Sequence, residues 1–70
     1  MTYFVCSTYK TTAGDVANLT VTRKSTLNSA VAEFHSKMSN LISEATTVMA
    51  SACVLDECMN KVKEEVWNKE

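Results

Sequence analysis

The chain has 70 residues, a formal charge of −1 with both signs mixed along its length, and 46% hydrophobic residues, with no proline and one glycine. That composition excludes a disordered segment, and it lacks the broad basic field on which non-specific duplex binding relies, so nucleic acid is disfavoured as an obligatory ligand. A single domain spanning 1–70 buries little more apolar area than is needed to offset an ordering entropy of about 1.5 kcal/mol per residue, so a staple or a partner is expected.

Three cysteines cannot close a complete disulfide framework, and the opening "MTYFVCS" carries neither a basic start nor a long apolar run. The chain is therefore expected to be cytoplasmic, with reduced thiols. No apolar stretch approaches the roughly 18 residues that span a bilayer, so no membrane partner is expected and the protein reads as soluble.

The first element, "TYFVCSTYK", is rich in β-branched and aromatic residues and reads as a strand that breaks at "TTAGD", where Gly14 and Asp15 supply turn chemistry. "VANLTVTRK" follows, with Ala17, Leu19 and Val21 alternating against Asn18, Thr20 and Thr22. That period of two predicts a strand with the apolar set buried, completing an N-terminal hairpin. Ser25 or Thr26 then offers an N-cap, and Leu27, Val31, Phe34, Met38, Leu41, Ile42 and Ala45 recur at spacings of three and four. The spacing predicts an amphipathic helix of about five turns ending near "EATT".

The last third, "CVLDECMNKVKEEVW" over 53–67, supports two periodicities. As a helix it aligns Leu55, Cys58, Met59, Val62 and Val66. As strands it runs "VMASACVL", turns over "DECMN", and returns as "KVKEEVW" with Val62, Glu64 and Val66 on one face and Lys63, Glu65 and Trp67 on the other. A lone two-stranded ribbon is a marginal platform, whereas a second hairpin completes a four-stranded sheet, and Asn60 stands where a turn with positive φ is wanted. The expected fold is α+β: a four-stranded antiparallel sheet in the order ββαββ, with one helix packed on one face and the other face open to a second subunit.

Three short patterns point the same way: Tyr3, Phe4 and Val5 near the start; Thr26, Leu27, Ala30, Phe34 and His35 entering the helix; and Val62, Glu65, Val66 and Trp67 at the end. In these the chain resembles small uncharacterised phage and prophage accessory proteins of gut Firmicutes. The group often has glycine in the last turn, where this chain has Met59. The resemblance implies a ββαββ protein acting in the host bacterial cytoplasm, interfering with a bacterial defence system by stoichiometric binding of a host immune protein or a signalling nucleotide.

Candidate chemistry is sparse. Cys6, Cys53, Cys58 and His35 add up to a zinc ligand count, but their spacing matches no zinc knuckle, so no metal is expected; Cys6 and Cys53 read as small hydrophobes in strands and Cys58 as exposed in a turn. His35, with no second histidine, reads as half-buried at the edge of the helix stripe. Asp56 with Glu57, and Glu64 with Glu65, are adjacent and so point to opposite sides of a strand, a solvated pattern rather than an acid–base pair. A single glycine rules out a glycine-rich phosphate loop. Neither an enzyme nor a cofactor is expected.

What remains is surface. Tyr3, Phe4, Tyr9 and Trp67, with Val5, Leu19, Val54 and Val66, are candidates for an association patch in a homo-oligomer formed through the open sheet face or through the helix. Tyr9, Lys10, Arg23 and Lys24 form a second candidate, in which cations clamp a phosphate while a base stacks on the ring. Tyr9, Lys10, Arg23, Lys24 and Trp67 are the expected partner- or ligand-binding residues. The competing functions are a nucleic-acid-binding accessory protein and a purely structural interaction module.

Overall fold

The computed structural model describes residues 1–69 and contains four strands and one helix: β1 (Tyr3–Thr11), β2 (Thr20–Lys24), α1 (Leu27–Ser43), β3 (Thr47–Asp56) and β4 (Lys61–Asn68). The strands form one antiparallel sheet in the order β2-β1-β3-β4, so the α+β ββαββ arrangement read from the sequence is the fold observed. Residues 53–67 are paired strands, not a helix. Among the described residues no helix is long and apolar enough to cross a membrane.

The two central strands are the two longest, and they set the faces. Tyr3, Val5, Ser7 and Tyr9 of β1 pair with Asp56, Val54, Ala52 and Ala50 of β3, and these eight lie on the side that α1 covers. Phe34 is fully buried, with Ala30 and Met38 a turn before and a turn after it on the helix and Val5, Ala50, Ala52 and Val54 beneath. The spacing of four lines these three up on one stripe. Alanine is the useful size at 50 and 52, because a small side chain in the middle of the sheet lets the helix approach. Tyr9 and Trp67 flank Ala50 in register and close the space it leaves.

The helix begins where its sequence allows. Thr26 is the N-cap, its hydroxyl accepting from the backbone N–H of Ser29 at 3.1 Å. Its stripe differs from the expected one at both ends. Leu27 and Ile42 are exposed, Ala45 lies beyond the helix, and Ala30, absent from the expected stripe, is fully buried. The helix packs on the sheet through Ala30, Phe34, Met38 and Leu41, which leaves Leu27 in the first turn ahead of this stretch and Ile42 on the helix flank.

The first hairpin is also corrected. Regular pairing starts at Thr20; Val16 makes only an isolated bridge to Lys10, and the Thr8 hydroxyl donates to the Ala17 carbonyl at 2.7 Å. The register places Thr22 opposite Val5 and Val21 opposite Cys6, so the threonine faces the helix side. Leu19 and Val21, expected to be buried, stand 64% and 54% exposed on the other face. Gly14, at φ 90°, takes the left-handed conformation that the turn after β1 requires.

In the second hairpin the positive φ falls on Met59 (67°), not on Asn60. Asp56 organises this turn, its Oδ1 accepting from the backbone N–H groups of Cys58 and Asn60, each at 2.9 Å. These bonds, that from Asn60 foremost, hold the Asp56 carboxyl below its ordinary value. The aspartate read as merely solvated is thus the turn's hydrogen-bonding centre.

Candidate functional site

Strand alternation sends every second residue of the sheet away from the helix, and among the described residues no element covers that side. From β2 it carries Val21 and Arg23; from β1, Phe4, Cys6, Thr8 and Lys10; from β3, Met49, Ser51, Cys53 and Leu55; from β4, Val62, Glu64 and Val66. Val21, Val62 and Val66 are 54%, 45% and 65% exposed. The centre of the face is a shallow depression of about 200 Å³ that includes Cys6, Cys53, Leu19, Glu64 and Val66.

Within the depression one cross-strand row runs Val21, Cys6, Cys53 and Glu64, each residue the register partner of the next. Cys6 is buried and Cys53 half-buried. Beside them Lys61 Nζ donates to Glu64 Oε2 at 3.0 Å, and that hydrogen bond, then the carboxylate's charge, raise the Lys61 ammonium above its ordinary value; Glu65 also lines the depression. A one-residue slip in register between Val54 and Leu55 leaves Val62 without a partner and brings Lys61 round beside Leu55.

The residues expected to bind a ligand do not converge. Arg23 and Lys24 pair with Phe4 and Tyr3 at one end of β1, whereas Tyr9 and Lys10 lie at the other end, about 17–20 Å away at the usual rise per residue. They also divide between faces: Lys10 and Arg23 belong to the open face, while Tyr9, Lys24 and Trp67 stand on the helix side. Lys24 reaches Glu33 of the helix at 3.8 Å. Tyr9 and Trp67 pack against the core, so the stacking of a base on Tyr9 between Arg23 and Lys24 has no geometric basis.

Of the other expected patch residues, Val5 and Val54 lie beneath the helix, while Leu19 and Val66 are on the open side. His35, expected to be half-buried, is exposed, its ring meeting Phe34 edge-on at a centroid distance of 5.3 Å. Phe34 also receives Lys63 Nζ at 5.7 Å from its centroid, which closes the β4 side of the core with a cation. Cys58 is exposed in the turn between β3 and β4. Among the described residues no group of three or more histidine, cysteine or acidic side chains is placed to hold a metal ion.

Sequence reasoning missed the row at the centre of the open face. Cys6 and Cys53 were legible as strand residues, but their opposition depends on the β1–β3 register, which no local signal carries. Compared with known proteins, the chain matches no family model, no curated protein and no solved structure.

Proposed function

We propose that this is a small non-enzymatic protein acting by stoichiometric binding, and that the uncovered face of its sheet is the binding surface, occupied first by a second copy of the chain. The observation that carries this reading is the uncovered apolar set Phe4, Val21, Leu55 and Val62, joined to Val66 only through Cys6 and Cys53, on one side of a sheet whose other side already holds the core. An uncovered apolar area of this kind marks an association site. With molecular extents of 38 by 17 Å, the face can bury roughly 600 Å² per copy, at the lower edge of what a stable dimer uses.

The wider role is interference with a bacterial defence system, by docking on a host immune protein or by holding a signalling nucleotide at the subunit interface; it rests on the resemblance to phage accessory proteins. Separation of Arg23 and Lys24 from Tyr9 weakens the competing nucleic-acid reading, since a strand-binding groove needs cations and stacking rings side by side.

Light scattering across a concentration series tests the assembly. The wild type is expected to pass from monomer to dimer in the micromolar range, and Val66→Asp to remain monomeric at every concentration. A wild type that stays monomeric up to millimolar concentration overturns the reading. Thermal-shift measurements with cyclic and linear nucleotides then separate the two partner classes, because a ligand at one hundred times its Kd adds about 2.7 kcal/mol of stability.

A further inference from the structure

Three cysteines occupy three environments, and only two of them meet. Cys6 and Cys53 are direct register partners on adjacent antiparallel strands, with both side chains on the open face of the sheet. The backbone fixes the kind of pair. The Tyr9 carbonyl turns toward the β2 side, where it accepts from the Ala17 N–H at 2.8 Å, so by alternation the N–H and C=O of Cys6 turn toward β3. On β3, the Asp56 N–H turns toward β4, donating to Asn60 at 3.0 Å, so Cys53 turns its own groups toward β1. Cys6 and Cys53 are therefore a hydrogen-bonded pair, with Cα atoms about 5.5 Å apart, inside the range disulfides use.

We propose that Cys6 and Cys53 form a dithiol site that undergoes thiol–disulfide exchange with small-molecule disulfides of the glutathione class, closing a cross-strand disulfide on the open face. Cys53, the more accessible of the two, attacks first as thiolate. Its Sγ bonds to one sulfur of the small disulfide, the S–S bond breaks, and one equivalent of small thiol leaves with the electron pair. Cys6, after giving its proton to solvent, then attacks Cys53 Sγ and expels the second equivalent of small thiol. The protein loses two protons and two electrons, which the small disulfide takes up as it becomes two thiols, so the exchange balances.

The order follows from the surroundings. Burial, and after it the neighbouring Cys53 sulfur, push the Cys6 thiol above its ordinary value, which suits a resolving thiol shielded from bulk reagent. The charged lining of the depression is Lys61, paired with Glu64, and Glu65, so an anionic disulfide approaches against one excess negative charge and a neutral one exchanges faster. Cβ atoms of a hydrogen-bonded pair lie near 5.5 Å, about 1 Å beyond what most disulfides span, so the two strands must draw together as the bond closes. A bond strained in this way reduces readily, making the site reversible. Cys58, alone in its turn, has no resolving partner and stops at the mixed disulfide.

The test is mass spectrometry of the folded Cys58→Ser variant after incubation with oxidised glutathione. The expected product is the protein lighter by two hydrogens, carrying no glutathione, and yielding a peptide that joins Cys6 to Cys53. Adding Cys6→Ser to that variant is expected to trap one glutathione on Cys53, and adding Cys53→Ser instead to slow modification of Cys6 at least tenfold relative to the same chain in denaturant. A Cys58→Ser product that stays reduced, stops at a glutathione adduct, or is a disulfide-linked dimer overturns the proposal.

Discussion

The two faces of the sheet are built from the same four strands and receive side chains in strict alternation, yet they end in opposite conditions. The helix-covered face is made of small and medium residues around one large ring: Ala50, Ala52, Val5 and Val54 under Phe34, all nearly or fully inaccessible. The open face is also apolar, but of its side chains only Cys6 is buried, Phe4, Cys53 and Leu55 are half-buried, and Val21, Val62 and Val66 stand in water. Hydrophobic content does not distinguish the faces; depth of burial does. A side chain contributes to folding only by the area it loses to solvent, so the covered face supplies the stability of the monomer and the open face contributes little until something sits on it.

That contrast can be broken most severely at its centre. Phe34→Ala removes the fully buried ring at the centre of the space between helix and sheet, and urea unfolding is expected to show a loss of about 3–5 kcal/mol. A matched pair sharpens the comparison. Val54→Ala, on the covered face, should cost about 2 kcal/mol, whereas Val66→Ala, on the open one, should change monomer stability by less than about 0.5 kcal/mol. Equal losses at low protein concentration would contradict the division of labour between the faces.

Smaller effects sit in the turn that positions the edge strand. Met59 holds a left-handed backbone at φ 67° with a side chain that disfavours it, so Met59→Gly is expected to raise stability by about 0.5–1 kcal/mol in the same denaturation assay. Last comes a pH effect at Asp56. Its hydrogen bonds favour the carboxylate in the folded state, so the folded value lies below the unfolded one of about 3.9. The contribution is present above the unfolded value and is lost as pH falls through the folded one. Thermal midpoints measured between neutral and strongly acidic pH should therefore fall less in Asp56→Asn than in the wild type.

Local signals carried much of this architecture. Thr26 as cap, the Phe34 and Met38 stripe, the β-branched run after Thr2 and the alternation in "KVKEEVW" each follow from neighbours three or four residues away, or two. Where the expectation failed, the deciding contact lay far along the chain. Leu27 and Ile42 have the right spacing for the core and fall outside it, because the core forms under Ala30, Phe34, Met38 and Leu41, leaving Leu27 in the first turn ahead of it and Ile42 on the helix flank. Leu19 and Val21 alternate as a buried set should, and the register with β1 turns them outward. Asn60 has the better turn chemistry, and the strand pairing beyond it places the left-handed residue one position earlier.

The sequence by itself determined the strand, turn and helix types up to residue 43 and the presence of an apolar excess beyond what one helix can cover, because periodicity is a property of short segments; over 53–67 it allowed helix and strand alike, and the pairing with β1 decided. Tertiary structure alone decided which of two alternating sets faces the helix, that Arg23 and Tyr9 stand at opposite ends of the sheet, and that Cys6 meets Cys53. All three depend on strand register, and a slip of one residue, which changes no local preference, would turn each strand's inner residues outward.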